Sequence, residues 1–338
     1  MAKTIVGLEV TEESVRAAEI TLGRKPQLVT YGEVPLPPDA ARDSEVLDVG
    51  SVAVALRQLW TGARFKSRNV VLGVASRRIL VREYTTQAMR PDLMREALPY
   101  QVQDLLPVPA SQSVLDFYPL SQEGDQVSGL LVAAVSENIE QIVETLSRVK
   151  VRVRAVDLTA FGLARVSARL TGPDEVVSTV FVGDHTTQFA VSRGGVPLFV
   201  RLLPIDVATS AGRRQTAQTV EANEPALAYA NSNVEVAMRT RGASRAASSP
   251  GVADLAARLR STLAFYASRP AAQPVTRMFV TGAGAAADGV LTALNSVIDV
   301  PIQVVSVDDI ITTSSAPAGE LGLNLVGTVG IALGEVGR

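Results

Sequence analysis

The chain of 338 residues contains no cysteine and a single histidine, His185. The first absence excludes disulfides, thiolate metal centres and a cysteine nucleophile, and the second excludes a zinc site built from several imidazoles. Aromatic residues make up only 4% against 47% hydrophobic residues, so the interior has to be built from Val, Leu, Ile and Ala, as in an α/β protein. Neither sign of charge dominates: a formal net charge of -2 provides no global field for nucleic acid or an anionic membrane. Long apolar runs are also missing. Leu321 to Gly334 contains Asn324 and falls short of the ~20 residues of a spanning helix, and the opening MAKTIVGLEV has no signal-peptide core. The expectation is a cytoplasmic protein of two domains, or one large bilobed one.

What is present is a duplicated pattern. Thr4 to Val10, Val15 to Ile20 and Gln27 to Val34 alternate with polar turns as a strand meander. A helix is predicted from Ser44 to Trp60, with Val46, Leu47, Val54, Leu56, Leu59 and Trp60 as apolar contacts, and a short strand over Asn69 to Ala75. After an extended piece, Arg78 to Tyr84, a helix starts at Pro91 and Asp92, is kinked by Pro99 and is stopped by Pro107 and Pro109. The strands SVLDFYPL and GLLVAAVS follow, then a helix capped by Ser136, the strand VRVRAVDL and a helix over Thr159 to Leu170, closing a first half at about residue 172. The second half, 173–338, opens with another meander, Val176 to Val182, Gln188 to Ser192 and Val196 to Leu203. It continues with a helix over Val252 to Ala267, the strand RMFVT, the turn GAGAAADG, a helix and the strand PIQVV. Residues 206–250, rich in Ala, Ser, Thr, Asn and Arg, read as a flexible segment.

Two strand-turn-strand units at equivalent places suggest a cleft with one amide-lined turn on each side, an arrangement that binds phosphate. GAGAAADG can supply a third wall where a nucleotide approaches the backbone, although a strand-glycine-helix junction is also ordinary turn chemistry. The order of the three turns resembles the layout of actin-like ATPases. More narrowly, IVGLEVTEESVRAAEI, DLMREALPYQVQDLLPVPASQSVLDFYPL, STVFVGDHTTQFAVSRGGVPLFVRLLP and RMFVTGAGAAADGV resemble the PilM family of type IV pilus assembly, itself similar to FtsA. The resemblance implies an actin-like ATPase fold of two lobes and four subdomains, with a small inserted subdomain within about residues 78–135. It also implies a groove for the N-terminal cytoplasmic tail of a PilN-like inner-membrane protein, and so a scaffold peripheral to the inner membrane. Self-association and contacts with other platform proteins go with that role, and nucleic acid does not. The groove candidates are Leu98, Gln101, Val102, Leu105 and Leu106. Their alternative role is to hold the inserted helix against its sheet.

The resemblance further implies that ATP and magnesium sit between the three turns, at Glu9, Thr11 and Ser14, at Gly183, Asp184, Thr186 and Thr187, and at Gly282, Ala283 and Gly284. The chain departs from the family pattern there. Where relatives resemble Asp-Ile-Gly-Ser-Ser-Ser, residues 9–14 read Glu-Val-Thr-Glu-Glu-Ser. One carboxylate ~5 Å from a phosphate charge costs about 3 kcal/mol at an effective dielectric near 20, roughly a hundredfold in affinity. In the second turn Phe181 stands where an aspartate is expected to help hold metal and water. The expectation is a scaffold with a decayed nucleotide site and no catalytic residue. Its rivals are an ATPase in which Glu9 and Asp184 hold magnesium, and an FtsA-like filament former, for which VGTVGIALGEVGR offers no basic amphipathic anchor. His185, Glu12 and Glu13 carry the plain reading of solvated turn charges.

Overall fold

The computed structural model describes residues 3–215, 250–270 and 272–336. The strands β1 (Thr4–Val10) and β2 (Ser14–Thr21) are buried on both faces because both faces are covered. With β3 (Gln27–Pro35), β6 (Asn69–Val74), β10 (Arg152–Leu158) and the two-residue β16 (Thr312–Thr313) they form a six-stranded sheet in the order β10-β6-β1-β2-β3-β16. The second sheet repeats the plan in the order β13-β12-β11-β14-β15, from β11 (Val176–Val182), β12 (Thr186–Arg193), β13 (Val196–Pro204), β14 (Met278–Thr281) and β15 (Ile302–Val304). In each, an antiparallel hairpin is joined by parallel strands. The small hairpin β4 (Ala41–Arg42) and β5 (Glu45–Val46) precedes α1 (Val49–Gly62), and α3 (Ser136–Arg148) precedes β10.

The sheets meet across two helices, α4 (Thr159–Leu170) and the C-terminal α8 (Glu320–Ala332). The helices touch backbone to backbone. A Cβ at Gly330 would lie 2.4 Å from the Gly162 carbonyl oxygen, and one at Gly7 would lie 2.0 Å from that of Thr328. Glycine is therefore required for α8 to lie against both α4 and β1. The second lobe also holds α5 (Pro250–Ala267) and α6 (Val290–Asn295), and the short α7 (Val307–Ile310) leads to β16. Among the described residues no helix is long and apolar enough to cross a membrane.

The inserted subdomain is a three-stranded sheet, β7-β9-β8, of β7 (Leu80–Gln87), β8 (Ser113–Glu123) and β9 (Gln126–Val135), packed against α2 (Pro91–Gln101). Met94, Leu98, Val102, Val127 and Leu131 form its own core.

Several expectations need correction. The first long helix starts at Val49, not Ser44, because Asp48 caps it by accepting from the Gly50 and Ser51 amides. Leu47 and Val54 are half exposed instead of packed. The N-cap of α3 is Val135, and Ser136 is its first helical residue instead of its cap. The chain does not stay in the second lobe after residue 173: β16 pairs with β3, and α8 packs on β1, β2 and β6 of the first lobe. Of the stretch 206–250 expected to be flexible, Val207 and Thr209 are buried and residues 210–215 are helical; residues 216–249 lie outside the described residues.

Candidate functional site

The turn of the β1–β2 hairpin and that of the β11–β12 hairpin face each other across the interlobe cleft, with the segment after β14 closing its side. The tight first hairpin places Glu9 directly opposite Arg16. Both are buried, and Arg16 Nε lies 3.3 Å from Glu9 Oε2. Glu9 is fully engaged from elsewhere too: Thr159 Oγ1 donates to its Oε1 at 2.9 Å, and Thr328 Oγ1 donates to its Oε2. The Arg16 guanidinium also faces Glu33 at 4.0 Å and lies 5.1 Å from the centre of the Phe181 ring. Burial opposes the Arg16 charge, but Glu9, Glu33 and Glu13 outweigh it and hold the guanidinium above its ordinary value. A permanent cation of the protein thus sits beside the first acidic position, on the aromatic ring that occupies the second.

The sequence-derived site residues divide into those that line the cleft and those behind it. Glu9, Thr11, Gly183, Asp184, Thr186 and Ala283 line it. Ser14 is buried and donates to Glu33 Oε1 at 2.6 Å, and Thr187 is buried in β12. Gly282 and Gly284 pack against β11, where a Cβ on either would come within 2.4 Å of Val182. Their identity is accounted for by that contact without a ligand. Asp184 does not face the cleft as a free carboxylate: Thr209 donates to it from its hydroxyl at 2.5 and 2.6 Å and from its amide at 3.0 Å. Burial nevertheless pushes Asp184 above the ordinary aspartate range.

Four backbone donors of the turns are satisfied within the protein. The Thr11 amide donates to the Ser14 carbonyl at 2.9 Å and the Gly183 amide to the Thr186 carbonyl at 3.1 Å. The Ser14 amide donates to Thr11 Oγ1 at 3.2 Å, and the Ala283 amide to Asn324 Oδ1 at 2.8 Å. The inner space of the cleft is about 60 Å³, room for an ion or a few waters, whereas small-molecule sites run to roughly 300–1,000 Å³. Outside it the cleft widens to a mouth of about 900 Å³, where Arg77 is held by Asp43 at 2.6 Å and Arg42 by Asp39 at 2.9 Å.

Glu12 and Glu13 are partly buried and not solvated turn tips, whereas His185 is exposed, as its place in a turn suggests. Glu12 and Glu13 turn inward to line the cleft. Burial raises both above the ordinary carboxylate range, with Asp184 adding to the effect at Glu13 and His185 opposing it at Glu12. His185 Nδ1 lies 2.8 Å from Asp206 Oδ1 and its Nε2 3.5 Å from Glu12 Oε2. Burial opposes the imidazolium, but Asp206, Glu12 and Glu13 together lift His185 above its ordinary value. Sequence reasoning missed Arg16, Thr159, Thr209, Asn324 and Thr328. Only Arg16 carried a signal, because a tight hairpin dictates its pairing with Glu9.

A second feature lies between the inserted subdomain and the first lobe. A groove of about 420 Å³ is lined by Val114 and Tyr118 of β8, Val156 and Leu158 of β10, and Phe161 and Ile331. Of the helix candidates, Leu98 and Val102 are buried at 1% and 0% exposure, Leu105 and Leu106 are partly buried against the insert core, and Gln101 is exposed. Leu98 and Val102 therefore pack α2 on its sheet, and neither contributes to this groove.

A family model described as type IV pilus assembly protein PilM matches residues 7–321. Among solved structures the chain is similar to a PilM-PilN type IV pilus biogenesis complex, at 22% identity over 99% of each chain, with a TM-score of 0.78. It is also similar to the ethanolamine utilization protein EutJ from Carboxydothermus hydrogenoformans, at 12% identity over 98% of this chain and 90% of that one, with a TM-score of 0.52. The cytoplasmic domain of EpsL, an inner-membrane component of the type II secretion system of Vibrio cholerae, matches at 9% identity over 98% and 95%, with a TM-score of 0.50. The fold is that of the actin-like ATPases.

Proposed function

As the chain belongs to the PilM family of type IV pilus assembly proteins, we propose that it is a non-catalytic scaffold that holds the N-terminal cytoplasmic segment of a PilN-like membrane protein. The observation that carries this reading is the groove between β8 and β10. Both are outermost strands of their sheets, so each presents backbone groups without a sheet neighbour on that side. Between them Val114 and Val156 stand 48% and 40% exposed. An extended segment can add to such an edge and set alternate apolar side chains into the groove, the backbone giving affinity and the pockets specificity. The similarity to a structure of a PilM-PilN complex supports the choice of occupant. The groove expected around Leu98, Gln101, Val102, Leu105 and Leu106 is the alternative docking surface, since Leu98 lines a separate pocket of about 230 Å³ with Met94, Arg95 and Phe117. Binding such a partner would keep the protein at the cytoplasmic face of the inner membrane.

The same proposal assigns the interlobe cleft a structural role. The residues do not favour Mg-ATP: Glu9 already accepts from Arg16, Thr159 and Thr328, and the Thr11, Ser14, Gly183 and Ala283 amides donate to protein acceptors. Glu12 and Glu13 point into the space that phosphates need. Arg16 takes over charge neutralisation of Glu9 from within the chain. The test is titration with a synthetic peptide of the partner's cytoplasmic tail. Val156→Asp should abolish binding, and retained binding by a folded variant would reject the groove.

A further inference from the structure

The two hairpin turns bring together a donor set that the scaffold role does not use. Glu12, Glu13 and His185 each present a ligand atom, and the three atoms lie within 4.8 Å of one another. Histidine Nδ1 is oriented by Asp206 at 2.8 Å, which leaves Nε2 aimed at Glu12, 3.5 Å away. This carboxylate–imidazole arrangement is the one that fixes the tautomer and direction of a metal-bound histidine. In a tetrahedral zinc site with bonds near 2.0–2.1 Å, neighbouring ligand atoms stand about 3.3 Å apart, close to the Glu12–His185 separation.

A second, independent feature points the same way. Gln188 lines the same cleft and is only 4% exposed. Its Oε1 has no hydrogen-bond partner among the described residues. A buried amide oxygen without a donor is costly; it is also a neutral ligand, or an acceptor for water on an ion. The inner space of about 60 Å³ suits an ion and its water. Arg42 approaches Glu12 at 3.8 Å on an exposed side chain, a contact worth little in water, and Arg77 acts on it from further away.

We infer that Glu12, Glu13 and His185 form a binding site for a first-row divalent cation of the zinc type, with Gln188 beside it and Asp206 orienting the imidazole. A mixed imidazole and carboxylate set favours such a metal over magnesium or calcium, which prefer oxygen alone. The ion would join the β1–β2 turn of the first lobe to the β11–β12 turn of the second, where an actin-like relative clamps its lobes on nucleotide phosphates. It would also neutralise the two carboxylates that repel those phosphates.

The experiment is unusually clean because the chain has one histidine and no cysteine. Untagged protein, dialysed against a chelator, is titrated with zinc chloride by calorimetry, while the imidazole nitrogens of isotope-labelled histidine are followed by NMR. One zinc per chain should bind, with the Nε2 resonance of His185 shifting as the site fills. His185→Gln and Glu13→Gln should each weaken binding by tenfold or more, and Asp206→Asn by about tenfold. An Nε2 resonance unmoved by saturating zinc, or equal affinity in folded His185→Gln, would overturn the assignment.

Discussion

The guanidinium of Arg16, carried by the first lobe, lies 5.1 Å from the ring centre of Phe181 in the second, while its Nε holds Glu9 at 3.3 Å. A cation and an aromatic face therefore join the lobes across the cleft. Removing the cation with Arg16→Met would leave Glu9 buried without its charge partner. The expected loss is about 3–5 kcal/mol, read from the urea midpoint. Phe181→Leu keeps the ion pair and should cost less, about 1–3 kcal/mol. A larger loss in Phe181→Leu would mean that the ring, not the ion pair, dominates.

Mg-ATP should produce no saturable heat in calorimetry and no phosphate release. Glu9 already accepts from Arg16, Thr159 and Thr328, which uses three of the roughly four acceptor positions of a carboxylate and competes with a magnesium shell. Micromolar binding abolished by Glu9→Ala would establish the rival reading of a working ATPase.

The contact of α4 with α8 allows no side chain at its crossing. Gly330→Ala places a methyl group 2.4 Å from the Gly162 carbonyl oxygen and should cost about 1–3 kcal/mol by forcing the helices apart. Because α8 also carries Thr328, the same variant should loosen Glu9. Thermal unfolding and hydrogen exchange at the β1–β2 hairpin would register both effects.

Leu98 separates the two assignments of the partner site. It is 1% exposed within the insert core, so Leu98→Ala should lower stability by about 2–5 kcal/mol. Peptide affinity should remain close to wild type at temperatures where the variant is folded. A selective loss of affinity without a loss of stability would restore α2 as the docking surface.

The legible parts of the fold are those encoded locally. Two strand meanders, the helix between Pro91 and the Pro107/Pro109 pair, and the helix over 159–170 follow from period and turn chemistry alone. The pairing of Glu9 with Arg16 was implicit in a hairpin closed by four residues. That Phe181 lies beneath Arg16 was not, since the contact depends on how two distant hairpins face one another. The return of α8 to the first lobe was hidden for another reason. Its residues are apolar almost all round, so no face marks a partner, and β16, which leads into it, is two residues long. At Leu98 and Val102 helical spacing identified apolar positions without saying whether the sheet or solvent covers them. His185 is the exposed turn residue its position suggests, but its partner Asp206 was hidden because it arrives only after β13 has returned to the cleft.

The claim that this chain works by holding a peptide, not by turning over nucleotide, is tested most directly by calorimetric titration of the partner's N-terminal cytoplasmic peptide in nucleotide-free buffer, alongside folded Val156→Asp. The account predicts one peptide per chain, affinity unchanged by added Mg-ATP, and binding abolished by the substitution. No binding until Mg-ATP is added, or binding undiminished in Val156→Asp, would contradict it.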